Sequence, residues 1–191
     1  FFTYLHDMKK SFENYISRIV LVKKTRVVSA ITGFTRIDAY DPEASVPISR
    51  LSRDRPTWLP AVENRGEGIF FSFNNRALDD WQTRGNVKER FKKIMTSQEK
   101  VKTNLENNRH SPKYVFLHTF SHVIMKSLAK LAGYSTASFT ERIYCGKGMA
   151  GIFIYTSSPS SDGALGGLVE LGRKNENKQQ GLERVGKWLE V

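Results

Sequence analysis

His118 and His122 stand four residues apart in Phe-Leu-His-Thr-Phe-Ser-His. On a helix that spacing puts both imidazoles on one face, the arrangement that zinc-dependent hydrolases use to hold their metal. Such an enzyme also needs a Glu directly after the first His as general base, and here that position is Thr119. No third ligand stands out in the sequence. The pair therefore reads first as core histidines bonded to neighbouring backbone, with a metal site or polar contacts to a partner as the alternatives. No metal ligand and no catalytic residue is assigned on this basis.

Two other constellations could carry chemistry. Ser157, Ser158, Ser160 and Ser161 precede Asp162-Gly163, but neither glycine of a Gly-x-Ser-x-Gly elbow is present, which argues against a nucleophilic serine. Gly163, Gly166 and Gly167 lack the spacing of a nucleotide-binding loop, and no Lys-Ser/Thr pair follows them. They remain a candidate nest for one phosphate, beside the simpler reading of a turn that lets a helix pack close to a strand. Glu63 and Glu67 flank Arg65 ahead of Gly68; two carboxylates suit general acid–base work, and a salt-bridged hairpin is the plainer alternative.

Thirty Lys+Arg against nineteen Asp+Glu give a net charge of +11, which favours a polyanionic partner, and DNA is the expected one. Three clusters could grip phosphates: Lys23, Lys24 and Arg26; Arg50, Arg53 and Arg55; and a run from Arg84 through Lys88, Lys92 and Lys93 to Lys102. Trp58, with Tyr40 and Trp81, lies near them and could stack on unpaired bases. For each cluster taken singly, a solvated surface is the competing reading.

The elements that must position these residues follow from periodicity and punctuation. Residues 1–16 suggest a short helix; Arg18 to Lys24 and Arg26 to Ile37 read as strands from their β-branched content. Asp41 to Pro60 holds four prolines and reads as a long surface connection. Arg65-Gly66 looks like the turn of a hairpin between Trp58 to Val62 and Glu67 to Phe73. Asn75 to about Asn108 is helical in character, with a break near Gly85 or Thr96. Ser111 suits an N-cap, Pro112 the first helical position and Gly133 the residue beyond the end, while apolar residues between them cover most of the circumference. Ser138 with Glu141 offers a capping box for a further short helix, and Ile152 to Tyr155 reads as a buried strand leading, through the glycine turn, to a helix from about Leu165. The fold class expected is α+β: a mixed sheet packed on a central buried helix over about residues 111–132.

Cys145 is the only cysteine, so neither an internal disulfide nor an all-cysteine metal site can form within these 191 residues, and a cytoplasmic setting is the simplest fit. No apolar stretch approaches the roughly 20 residues of a membrane helix, so no membrane partner is expected. The chain opens on Phe1 and closes inside a helical pattern around Trp188, so it reads as one domain excerpted from a longer protein.

In four segments, TRVVSAITGFTRID, WLPAVENRGEGIFFSF, FLHTFSHVIMKSLAKLAGYSTASFTERIY and GIFIYTSSPSSDGALGGLVELG, the chain resembles the MrfA-like zinc-binding domain family. It is most similar to the members that serve the DISARM anti-phage defence system. These segments run from about Thr25 to Gly172; between Asn74 and Lys113 the similarity is loose. The resemblance implies a non-catalytic accessory module that works on DNA beside a superfamily 2 helicase. It also implies a zinc held by cysteines just beyond a tryptophan like Trp188, so that the metal belongs to longer family members and no cofactor is expected here. Two alternatives stay open: a metal-dependent hydrolase or nuclease using His118 and His122 with Asp162 and Glu67, and a protein–protein scaffold whose positive charge meets an acidic partner.

Overall fold

Alternating apolar residues along Ile16–Ala30 and Ala61–Phe73 make two long antiparallel strands, β2 and β5, the spine of the molecule. The computed structural model describes residues 2–4, 14–37, 47–99, 111–156 and 167–172. Around the spine, β1 (Phe2–Tyr4) pairs with β2, while β7 (Met149–Thr156) pairs with β5 and with β6 (Phe139–Gly146). The order across the sheet is β1-β2-β5-β7-β6, and a separate two-stranded piece joins β3 (Gly33–Phe34) to β4 (Ser49–Arg50). Helices α1 (Asn75–Gln82), α2 (Gly85–Glu99), α3 (Pro112–Ala132) and α4 (Gly167–Gly172) complete the described elements.

The α+β class holds, with every strand among the described residues pairing antiparallel where a mixed sheet is expected. The reason lies in the connections: β6 and β7 join through a tight turn with Gly148 at positive φ, and antiparallel strands alone can be linked so briefly. Phe2–Tyr4 forms an edge strand where a short helix is expected; residues 5–13 lie outside the described residues.

Helix α3 starts and stops as its sequence dictates. The Ser111 hydroxyl accepts from the Tyr114 amide at 3.1 Å, Pro112 occupies the first turn, and Gly133 closes the helix in the left-handed conformation at φ 73°. It is one-sided rather than central. Leu117, Phe120, Ile124 and Leu128 pack on Ile69, Phe71, Ile152 and Ile154 of the sheet, whereas His118, Thr119, His122, Val123, Lys126 and Lys130 face outward. Polar residues at every third or fourth position reserve that outer stripe.

Two helical pieces follow β5 as expected, with the break at Thr83-Arg84 just before Gly85. The Asn74 side chain caps α1 through the Ala77 amide at 3.2 Å. Lys113, buried at the start of α3, donates to Asn75 and, at 3.2 Å, to Asp79, tying α3 to α1.

Strand β5 corrects the hairpin expected at Arg65-Gly66: it runs straight through. Glycine is needed there for close approach, not for turning, since a Cβ at Gly66 would lie 1.6 Å from the Thr156 carbonyl oxygen. Likewise Glu141, expected in a capping box, sits in β6. Ser135 caps the single 3-10 turn over Thr136–Ser138 instead.

Candidate functional site

Beyond the five-stranded body, β2 and β5 continue alone. Thr25 to Ala30 pair with Ala61 to Gly66, and β7 reaches β5 only at Gly68 to Ser72. A bulge at Lys23-Lys24 marks the boundary: Val22 faces Gly68 and Thr25 faces Gly66, so β2 carries one extra residue. The six residues past it extend about 20 Å at the usual rise per strand residue. At the far end Ile31 donates to the Pro60 carbonyl at 2.9 Å, and the β3–β4 pair with residues 51–60 forms the tip.

This two-stranded arm gathers two of the three basic clusters that the sequence singles out. Lys23 and Lys24 are exposed at its base and Arg26 on its flank; Arg50, Arg53 and Arg55 are exposed at its tip, beside Trp58, which is 73% exposed. Arg65, missed as a binding candidate, joins them because it lies directly opposite Arg26. Glu63 holds both arginines, at 2.7 Å from Arg26 and 3.3 Å from Arg65, and these hydrogen bonds keep its carboxyl below the usual carboxylate range. One carboxylate between two guanidiniums leaves the arm positive. The third cluster lies elsewhere: Arg84 precedes α2, and Lys88, Lys92 and Lys93 line its exposed face, while Val87, Phe91 and Ile94 turn inward. Trp81 packs its ring 5.4 Å from Phe116 and serves the α1–α3 contact. Tyr40 and Lys102 lie outside the described residues.

Glu67 belongs to a different piece of chemistry. Only 1% exposed, its carboxylate accepts from the Leu168 amide at 2.8 Å, the Val169 amide at 3.2 Å and the Tyr134 hydroxyl at 3.1 Å. It thus caps the first turn of α4 from another strand, satisfying donors that a helix start leaves open. Burial, and then the neighbouring Glu67 charge, push the Tyr134 phenol above its ordinary pKa. Of the candidate phosphate nest, Gly163 and Gly166 lie outside the described residues, as do Ser157 to Asp162. Gly167 opens α4, where the next two amides already serve Glu67. A general acid–base partnership of Glu63 with Glu67 is not built: one is exposed and ion-paired, the other buried as a cap.

The two histidines are brought together, and with a residue that the sequence did not pair with them. His118 Nε2 and His122 Nε2 lie 3.0 Å apart on the outer stripe of α3. Glu141 Oε1, from edge strand β6, lies 3.1 Å from the first and 3.6 Å from the second. Glu141 shares the helix-facing side of β6 with Phe139 and Ile143 by strand alternation, which is why it reaches α3. The buried Ser121 hydroxyl contacts Glu141 Oε2 and lies 2.7 Å from the His118 carbonyl oxygen. The core-histidine reading is therefore corrected: the side chains are 47% and 53% exposed, respectively. Cys145, half buried with the Ser111 hydroxyl 3.9 Å from its sulfur, has no second cysteine to work with, so a cysteine-held zinc does not fit these residues. Trp188 lies outside the described residues.

No helix among the described residues is long and apolar enough to cross a membrane. No family model matches the chain. In sequence it is 38% identical over 168 residues to the DISARM protein DrmB of Bacillus paralicheniformis (strain ATCC 9945a / NCIMB 11709 / CD-2). The matched part is 84% of this chain and 30% of that protein, so the similarity spans less than a third of the length of DrmB.

Proposed function

We propose that this chain is a nucleic-acid-binding and helicase-docking part of a DISARM-type anti-phage defence component, working in the cytoplasm and without a catalytic role of its own. The basic two-stranded arm carries this reading. The major groove of duplex DNA admits a two-stranded β-ribbon, and exposed Lys and Arg along such a ribbon meet phosphates on either side. Arg50, Arg53 and Arg55 supply those contacts at the tip; Lys23, Lys24 and Arg26 supply them at the base. Trp58 offers a stacking surface where strands are separated. The exposed basic face of α2 adds Arg84, Lys88, Lys92 and Lys93 as a second contact. A superfamily 2 helicase supplies the motor, since this chain has no nucleotide-binding loop. The 38% identity to DrmB supports the defence setting.

The test is fluorescence anisotropy of labelled duplex and single-stranded oligonucleotides at 50 and 200 mM salt. Six to ten phosphate contacts predict an affinity loss of about 10³–10⁵ over that range. Replacing Arg50, Arg53 and Arg55 together by Glu should weaken binding and flatten the salt slope by about three phosphates. A flat salt response in the unmodified protein would overturn the DNA reading. A protein–protein scaffold predicts the reverse pattern: the same charge reversal weakens the complex with the partner subunit and leaves free DNA untouched.

A further inference from the structure

The geometry points to a divalent transition-metal site, of zinc type, formed by His118 Nε2, His122 Nε2 and Glu141 Oε1. Such a site stands apart from any nucleic-acid binding by the arm. A tetrahedral zinc ion holds nitrogen and oxygen ligands at about 2.0–2.2 Å, which sets neighbouring ligand atoms about 3.3–3.5 Å apart. The three separations here are 3.0, 3.1 and 3.6 Å, so an ion at bonding distance from all three sits just above their plane. Two imidazoles with one carboxylate are a ligand set that zinc accepts readily, and three protein ligands leave a fourth position for solvent.

Protons serve this cluster only through one hydrogen shared, off axis, between two acceptors. Each Nε2 either carries one hydrogen or offers one lone pair. If His118 gives its hydrogen to Glu141 Oε1, that nitrogen cannot also accept from His122. If it accepts from His122, it has no hydrogen for the carboxylate. A cation at the centre of the three atoms turns every one of these contacts into a donated lone pair. The surroundings serve the same purpose. Ser121 contacts the other carboxylate oxygen, Oε2, which fixes the carboxyl with Oε1 turned toward the imidazoles. The His118 and Tyr114 rings stack at 6.0 Å and hold the first imidazole in its orientation. The ligands come from α3 and from the edge strand β6, so the ion would also clip one to the other.

Metal uptake tests this directly. The purified protein, its affinity tag removed and its metal stripped with a chelator, is titrated with Zn²⁺ and Co²⁺ while thermal unfolding is followed. Bound Co²⁺ at this site should give visible d–d absorption of a tetrahedral ion without the intense near-ultraviolet band of cobalt–thiolate bonds. That signature separates it from any cysteine-held ion elsewhere in a longer chain. His118→Ala and His122→Ala should each remove this one equivalent, weakening Zn²⁺ binding at least 100-fold, and Ser121→Ala should weaken it roughly 10-fold. Both histidines are half exposed, so the variants keep their fold, which circular dichroism verifies. Equal metal stoichiometry in wild type and both histidine variants, or cobalt spectra of thiolate type only, would overturn the proposal.

Discussion

Strands β2 and β5 pass through two different environments along their own length. Below the Lys23-Lys24 bulge, β2 buries Ile16, Ile19 and Leu21, and β5 answers with Ile69, Phe71 and Phe73 against α3. Above it, the same two strands keep their ladder but bury no hydrophobic residue, and Val28 and Val62 stand more than half exposed. The backbone ladder and the exposed Arg26–Glu63 ion pair sustain the pairing in the arm; side-chain burial sustains it in the body. The lesson is that apolar burial and exposed charge are divided along one pair of strands. Charge can accumulate on the arm because its Lys and Arg side chains stay in water, whereas the body is held by side chains that have left it.

That contrast can be broken most sharply by matched truncations. Phe71→Ala in the body should cost about 3–5 kcal/mol, since it removes a fully buried ring and leaves a cavity beside Phe120. Val28→Ala in the arm should stay within about 0.5 kcal/mol. Chemical denaturation of both variants checks this, and a comparable loss at Val28 would mean that the arm is held by more than its ladder.

Glu67 lies where body and arm meet, one residue past the close approach of Gly66 to β7. Glu67→Ala strands two buried amides and the half-buried Tyr134 hydroxyl and should cost about 3 kcal/mol. Tyr134→Phe removes only one of them and should cost about 1 kcal/mol. The ratio measured by thermal unfolding tells whether the carboxylate acts chiefly as the cap of α4.

The smallest effect is expected at Glu63. Its carboxyl is held below the usual range by Arg26 and Arg65, so the stabilisation is fully present above ordinary carboxylate pH and fades as pH falls through its lowered value. Solvent around the exposed pair keeps that contribution small. Unfolding midpoints compared at pH 7 and pH 3 should show a slight acid loss in the wild type that Glu63→Gln does not share.

Local chemistry was legible in the sequence and long-range placement was not. Ser111, Pro112 and Gly133 bound α3 because caps and φ preferences act within a turn, and Gly85 marks the helix break for the same reason. Gly66 misled because a glycine serving a turn and one serving a close approach look alike until the opposing strand is known. Apolar residues around α3 suggested burial on all sides, yet His118, His122, Lys126 and Lys130 recur on one stripe and signal an outer face. Glu141 escaped notice as a partner of the histidines because its local context, three residues after Ser138, imitates a capping box. Only β6, running back beside α3, gives it its neighbours.

The clamp between Glu67 and α4 has a consequence in time. Its partners Leu168 and Val169 are 101 and 102 residues downstream, so strand β5 leaves a ribosome long before the helix that its carboxylate will cap. At about 5–20 residues per second that interval is about 5–20 s. Throughout it, the future interior of the sheet holds an ionisable group with no helix to receive it, and water fills the place. Closing the clamp is therefore a dehydration, with Glu67 exchanging its water for the Leu168 and Val169 amides as α4 arrives.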